Sequence, residues 1–168
     1  MSRIHNPEAF GEFYRQTAPA LRNYVARVMG RVADADDIVQ EAYVRLLRHP
    51  PAIDDPQELR RYVFRVASNL ITDRWRRRKR EVPASEAPEA VANTRDAVQR
   101  LDMERTFRQL RARDRQLLWL AYVEGASHRD IAAVLGLAER SIKVLLSRAR
   151  ATLASLLRDE RHGGGGSK

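Results

Sequence analysis

Apolar residues recur three or four positions apart along most of this chain, a spacing typical of helices that bury one face. Turn and cap residues divide the pattern into segments of helical length. An all-α fold is therefore predicted. The residues expected to face its core are Phe10, Phe13, Tyr14, Leu21, Val25, Val28, Ile38, Val39, Ala42, Leu46, Leu47, Leu59, Tyr62, Val63, Val66, Ala67, Leu70, Ile71, Met103, Phe107, Leu110, Leu117, Leu118 and Ala121.

The ends of the first predicted helices are marked by residues that cap or break helices. Asn6 followed by Pro7 begins the first helix. Pro19 is expected to divide or kink that helix, and Gly30 is expected to end it. Asp34 begins the second helix as the first residue of a D-x-x-D pattern. After a turn-rich stretch a third helix is expected, with Asp55 as its cap, Pro56 as its first residue and Glu58 as its third.

The composition changes abruptly at residues 81–95, which are rich in Pro, Ala, Ser and Glu and offer little to bury. Two shorter helices are expected after this stretch, over residues 96–110 and 114–124. The sequence therefore predicts two small helical domains, residues 6–80 and 96–158, joined by a flexible linker.

Two short helices joined by a glycine turn are predicted between Ser127 and Leu153. Ser127 and Asp130 form an S-x-x-D capping box that begins the first helix, and Gly136 supplies the left-handed residue that ends it. The second helix, from about Ala138, combines an apolar stripe with a basic opposite face, which suits reading of the DNA major groove. The stripe comprises Ile142, Leu146, Ala149 and Leu153. From spacing alone, an ordinary helical hairpin with a solvated basic face stays open as an alternative.

The charge balance favours a polyanionic partner. The chain has 31 lysine and arginine residues against 22 acidic residues, a net charge of +9. It has no cysteine and only scattered histidines, so neither a disulfide nor a metal site is expected. No apolar run is long enough to span a bilayer and no signal peptide is visible, so a cytoplasmic protein without membrane insertion is expected. Residues 163–168 read as an engineered linker or tag remnant.

Two polar surfaces stand out on the predicted N-terminal domain. The second helix presents Asp37, Gln40, Glu41 and Arg45 opposite its apolar stripe, a negative patch on a basic protein. Such a patch, taken alone, is usually a solvated face. The third helix ends in RWRRRKR, residues 74–80, in which six cations can hold phosphates and Trp75 offers a stacking surface.

Three segments, taken in order, carry a resemblance to a known family. They are DADDIVQEAYVRLL from Asp34, VASNLITDRWRRRKR from Val66, and the helix-turn-helix segment SHRDIAAVLGLAERSIKVLLSRARATL from Ser127. With the linker between the last two, the chain resembles the extracytoplasmic-function (ECF) sigma factors of bacterial RNA polymerase, particularly the iron-citrate-transport type. The resemblance implies a non-catalytic, two-domain factor with regions 2 and 4 that directs core polymerase to promoters and helps to open the DNA.

The resemblance also implies roles for individual residues. The surface implied to dock on core polymerase comprises Asp37, Gln40, Glu41 and Arg45. The residues implied to bind the minus 10 element are Ile53, Asp54, Asn69, Arg74, Trp75, Arg76, Arg77, Arg78 and Arg80. Those implied to bind the minus 35 element are Arg140, Ser141, Lys143, Val144, Ser147 and Arg148. An anti-sigma factor, membrane-associated in similar systems, is an implied further partner, and the factor is expected to be a monomer.

Two other classes of function explain less of the sequence. An autonomous helix-turn-helix regulator would bind duplex DNA without polymerase, but this leaves the acidic patch and the distal arginine run unexplained. An enzyme acting on nucleic acid is not supported, because no carboxylate cluster, nucleophile and base pair, or phosphate-binding glycine loop is visible. No catalytic residue and no cofactor are therefore expected. Val144 and Leu145 face either DNA or the core, and their spacing allows both.

Overall fold

A computed structural model describes residues 3–81 and 95–163, with side chains described for 4–80 and 102–162. Those ranges hold a short 3-10 turn and seven α-helices, without a strand, which confirms the predicted all-α class. The helices are α1 (Pro7–Met29), α2 (Val32–Arg48), α3 (Pro56–Glu81), α4 (Arg95–Gln109), α5 (Ala112–Tyr122), α6 (His128–Leu135) and α7 (Glu139–Gly163). Most of the predicted linker and tag remnant, residues 82–94 and 164–168, lies outside the described residues.

Several helix ends form as the cap residues predict. The Asn6 side chain accepts a hydrogen bond from the Glu8 backbone N–H at 2.9 Å, so α1 begins beside Pro7. Asp55 likewise accepts from the backbone N–H of Glu58 at 3.0 Å at the start of α3. These bonds satisfy backbone donors that the first turn of a helix leaves free.

Two expectations about the helices are wrong, and so is one part of a third. α1 is continuous through Pro19, which lies on its exposed face, so the helix is not divided there. α2 begins at Val32 with Arg31 at the N-cap, and Asp34 lies inside its first turn. Leu47 belongs to the predicted buried stripe, but it is 49% exposed near the end of α2, where no neighbouring element covers it fully.

The core of the first half lies where α1, α2 and α3 meet. Leu21, Val25, Leu46, Val63 and Ile71 are fully buried there. Besides Leu47, the exposed exceptions to the predicted stripes are Tyr14 at 44% and Met103 at 46%. Tyr14 nevertheless packs edge-on against the ring of Tyr43, with centroids 4.7 Å apart. The other predicted core positions whose side chains are described are buried or half-buried.

The second half packs directly on the first. α5 lies against α1, and α6 lies against α3, while α7 contacts α4, α5 and α6. At the boundary the buried hydroxyl of Tyr24 lies 2.8 Å from Ser68 Oγ and accepts a hydrogen bond from Gln116 Nε2 at 3.2 Å. The two halves therefore share a continuous interface in this structure.

Candidate functional site

The predicted acidic patch lies on the solvent-facing side of α2. Asp37 is 69% exposed, and Gln40 is also exposed. The Glu41 carboxylate accepts a hydrogen bond from Arg45 Nε at 2.8 Å, one helical turn away, and both side chains are about half exposed. Between these positions Ile38, Val39, Ala42 and Tyr43 are buried. The four predicted residues thus share one polar surface that a partner can reach.

The basic run at the end of α3 divides into two sets of side chains. Arg74 and Arg78 are partly covered and turn towards α2, where both form ion pairs with Asp34. The remaining members are exposed: Arg76, Arg77, Lys79 and Arg80. Guanidinium groups that project freely into solvent suit contact with phosphates, which carries little sequence information. The exposed set is therefore the available cationic surface at this end of α3.

Trp75 lies at the boundary between the two halves. It is half-buried and packs against the core, and the guanidinium of Arg115 lies 5.5 Å from its ring centre. Burial lowers the pKa of Arg115, and the nearby charge of Arg108 lowers it further. An arginine stays protonated even so, because its pKa is so high. In this arrangement Trp75 is partly covered by α5, so the stacking surface predicted for it is not fully open.

The other residues implied in minus 10 binding lie around α3. Asn69 is exposed, directly beside the buried Ser68. In the loop before α3, Ile53 is half-buried against the core and Asp54 is exposed. Asn69 and Asp54 therefore present polar side chains to solvent, whereas Ile53 anchors the loop.

The helix-turn-helix forms as predicted. The Ser127 hydroxyl accepts a hydrogen bond from the Asp130 backbone N–H at 3.1 Å, and Gly136 ends α6 with a φ of 65°. On α7, Ile142 and Leu146 are buried. The other side of α7 is exposed at Arg140, Lys143, Val144, Ser147 and Arg148, with Ser141 half-buried. These side chains form one surface, which we name the α7 face.

The structure distinguishes the two alternatives left open for Val144 and Leu145. Leu145 is half-buried and packs against the core, so it supports the helix. Val144 is 51% exposed beside Lys143 on the α7 face. Only Val144 is therefore an apolar group that the helix offers to a ligand at this point.

Charged contacts between the two halves were not found from the sequence. Arg60 of α3 donates to the Glu124 carboxylate at 2.5 Å, and Arg61 pairs with Asp130 at 3.0 Å. No short-range pattern signals these pairs, because their partners are far apart in the chain. The first pair joins α3 to the turn after α5, and the second joins α3 to the first turn of α6.

Two tyrosine hydroxyls are buried in the first half. Burial raises the pKa of Tyr24 well above its usual value, and Glu124 adds to this, although hydrogen bonds from Ser68 and Gln116 oppose it. Burial also raises the pKa of Tyr43 to about 12, although a hydrogen bond with Thr17 opposes the shift. Both hydroxyls stay protonated near neutral pH and act as neutral hydrogen-bonding groups.

Within residues 3–81 and 95–163 no three His, Cys, Asp or Glu side chains are grouped to hold a metal ion. None of the helices described in those ranges is both long enough and apolar enough to span a bilayer. The polar surfaces that remain are the acidic patch of α2, the cations of α3 and the α7 face. All three suit binding to macromolecules.

Two family models match the chain in sequence. Sigma-70 region 2 matches residues 13–81, and Sigma-70, region 4 matches residues 100–153. The first match spans most of α1 to α3 and the second includes the helix-turn-helix. Both candidate domains are thus covered by related models.

Similar proteins are found among sequences and solved structures. The ECF RNA polymerase sigma factor SigL of Mycobacterium tuberculosis is 33% identical over 157 residues, covering 87% of each chain. EcfG of Rhodopseudomonas palustris, another ECF RNA polymerase sigma factor, is 31% identical over 83% of this chain and 80% of its own. The sigma factor RpoE, solved with the anti-sigma factor NepR from Bartonella quintana, has a TM-score of 0.77 and 25% identity, covering 89% of this chain and 96% of its own. CnrH, solved with the cytosolic domain of CnrY, has a TM-score of 0.69 and 28% identity, covering 94% and 92%.

Proposed function

The chain belongs to the ECF sigma factors of RNA polymerase, and from this premise we propose that it binds core polymerase through α2 and promoter DNA through α3 and α7. The observation that carries the proposal is the separation of charge. An exposed acidic patch on α2 and exposed basic surfaces on α3 and α7 lie on one basic chain. A protein partner and a nucleic-acid partner can therefore bind at the same time.

For core polymerase, the proposed contact surface comprises Asp37, Gln40, Glu41 and Arg45. All four are polar, lie on one side of α2 and leave its apolar stripe in the core. A binding surface of this kind needs no rearrangement of the helix that carries it. Charge complementarity would then favour a basic surface on the polymerase.

For the minus 10 element, the proposed surface combines Asn69 and Asp54 with the exposed cations of α3. Ile53 would support the loop, while Trp75 would become a stacking surface once Arg115 moves away. Phosphate contacts would position the strand, and the amide of Asn69 would contact an unstacked base.

For the minus 35 element, the proposed surface is the α7 face. Its basic residues would contact phosphates or guanine edges, and Ser141 and Ser147 would add short hydrogen-bonding groups. We propose residues 6–80 as region 2 and 96–158 as region 4, with 81–95 as the linker. Family models supply the order of these regions but not their ends.

The remaining assignments follow from the family. A factor that acts through polymerase needs no catalytic residue or cofactor of its own, and it would act in the cytoplasm, where the chromosome lies. An anti-sigma factor is a proposed partner, since RpoE and CnrH are each solved with another protein, NepR and the cytosolic domain of CnrY respectively. We propose a monomer of the iron-citrate-transport type on the sequence motifs. The subgroup can be tested by identifying the genes whose promoters the protein uses. Genes unrelated to iron transport would contradict the assignment.

Transcription in a purified system tests the proposed function. Core polymerase is mixed with the protein and a library of random promoter sequences, and the transcribed templates are sequenced. We expect transcripts only with both proteins present, from templates that share two short elements about 25 base pairs apart. Transcripts that do not depend on the protein would contradict the proposal.

A further inference from the structure

The six cations at the end of α3 are not equivalent. Arg74 and Arg78 lie one helical turn apart on the side that faces α2, and their side chains are 34% and 39% exposed. Between them lies the carboxylate of Asp34, which is 17% exposed. It accepts a hydrogen bond from Arg74 Nη1 at 3.2 Å and another from Arg78 Nη2 at 2.5 Å. One acidic side chain thus holds two of the six cations.

Arg74 is fixed more firmly than a single ion pair would fix it. Its Nη1 also donates to the backbone carbonyl of Asp34 at 3.4 Å, and its Nη2 lies 3.8 Å from an Asp37 carboxylate oxygen. Asp34 itself lies in the first turn of α2, where the helix dipole favours a carboxylate. This acid and its two arginines therefore form a preorganised cluster between α2 and α3.

Releasing these arginines to another anion would be unfavourable. The carboxylate of Asp34 is mostly covered, and a covered charge that loses its partners is strongly destabilising. The exposed members of the run, such as Arg76 and Arg77, have no such cost. DNA phosphates should therefore recruit the exposed cations and leave Arg74 and Arg78 in place.

We propose that Asp34 is a positioning residue that sets how many cations α3 presents to DNA, and with it the sequence-independent part of DNA affinity. The inference rests on the proposed function, because it takes promoter DNA as the ligand of α3. It divides the cations at the end of α3 into those that contact phosphates and those, Arg74 and Arg78, that Asp34 holds away from them. Sequence-independent affinity depends on the number of phosphates neutralised, and so does its salt dependence.

The substitution Asp34→Asn tests the inference, because it keeps the shape of the side chain and removes the charge that holds both arginines. The full chain is titrated with a duplex and a single strand of arbitrary sequence over a range of salt concentrations. We expect tighter binding at low salt and a slope of log K against log salt that is steeper by up to about 1.4 for the single strand and 1.8 for the duplex, about 0.7 and 0.9 per phosphate.

Asp36→Asn provides a matched control. Asp36 lies on the same helix as Asp34, but its carboxylate pairs at 2.7 Å with Arg22 of α1 and not with a cation of α3. The substitution Asp36→Asn therefore raises the net charge by the same amount without freeing a cation of the run. Its salt slope should equal that of the unmodified chain. An equal steepening in both variants would overturn the inference, since the change in net charge alone would then explain it. A slope that steepens in neither variant would also overturn it, since Asp34 would then not control the cations available to DNA.

A second pair of variants keeps the test informative if Asp34→Asn does not fold. Arg74→Gln with Arg78→Gln should leave the salt slope nearly unchanged, whereas Arg76→Gln with Arg77→Gln should flatten it by about 1.4 to 1.8. Equal flattening by both pairs would overturn the inference. Failure of the proposed function has a different signature, because the unmodified chain would then direct no transcription by core polymerase, whatever its salt slopes on arbitrary DNA.

Discussion

Neighbouring apolar residues on α7 differ in burial and therefore in role, as the positions of Ile142, Val144 and Leu145 show. Ile142 is fully buried, Leu145 packs against the core, and Val144 is about half exposed. The helical period predicted the burial of Ile142, but Leu145 lies three positions beyond it, a spacing that suits the core and the edge of the exposed face alike. Only the packing around α7 distinguishes the two, and a sequence pattern does not contain that packing.

Val144→Ser should relax a preference for thymine at one position of the minus 35 element and leave stability almost unchanged. An exposed apolar group in the major groove can pack on a thymine methyl, and a hydroxyl cannot replace that contact. Binding to all four bases at each position would be measured alongside thermal unfolding. Leu145→Ala is the control, with a loss of about 1 to 2 kcal/mol in stability and the same base preference. Unaltered base preference in Val144→Ser would contradict the assignment.

Asn69→Ala should change base preference at one position of the minus 10 element while core binding stays the same. The side chain is exposed on α3 and can form two or more hydrogen bonds with a base edge. A transcription assay with each base at each position would show the effect. Equal losses with every base would instead indicate that Asn69 has only a general role on the surface.

At the scale of helices, local signals predicted most of the architecture. Cap residues such as Asn6, Asp55 and Ser127 form the expected bonds, because capping depends only on residues a few positions apart. Pro19 does not divide α1, although its ring nitrogen has no hydrogen to donate. The predicted burial of Leu47 is wrong because no neighbouring element covers this side chain fully, although its position fits the apolar stripe.

Charge reversal on α2 should separate core binding from folding. Asp37→Lys with Glu41→Lys changes two exposed side chains, so we expect unfolding free energy within about 0.5 kcal/mol of the unmodified chain and no co-elution with core polymerase. Glu12→Lys with Asp159→Lys is the control, since it makes the same change of charge at exposed acids on α1 and α7, away from α2. If the α2 variant still co-elutes with core, the surface is assigned wrongly.

At the scale of the whole molecule, sequence patterns do not predict how one half packs on the other. Gln116 meets Tyr24 across 92 positions of the chain, and Arg60 meets Glu124 across 64. A compact chain of this length has a radius of gyration of about 15 Å and is therefore about 40 Å across. Promoter elements about 25 base pairs apart lie roughly 85 Å from each other along B-DNA at 3.4 Å per base pair. If the proposed assignments hold, the two halves would therefore have to separate before one chain binds both elements.

Glu124→Gln should favour this separation. The Glu124 side chain is 12% exposed and pairs with Arg60, so losing its charge leaves Arg60 without its partner and weakens the interface by about 1 to 3 kcal/mol. The chain has no cysteine, so Arg48→Cys and Ala151→Cys would accept two distance labels uniquely. We expect a longer and broader distance distribution in Glu124→Gln, and no change in Glu12→Gln, whose ion pair lies within α1. Identical distributions in all three proteins would show that this pair does not hold the halves together.

Footprinting on a selected promoter tests the central claim most directly, since the claim is that one chain reads two elements while bound to core polymerase. The protein alone, core polymerase alone and the mixture would each be probed for protected backbone and for unpaired bases. The account predicts protection of both elements and unpaired bases at the minus 10 element only in the mixture. Protection of a single duplex site by the protein alone, unchanged when core is added, would contradict it and indicate an autonomous DNA-binding regulator.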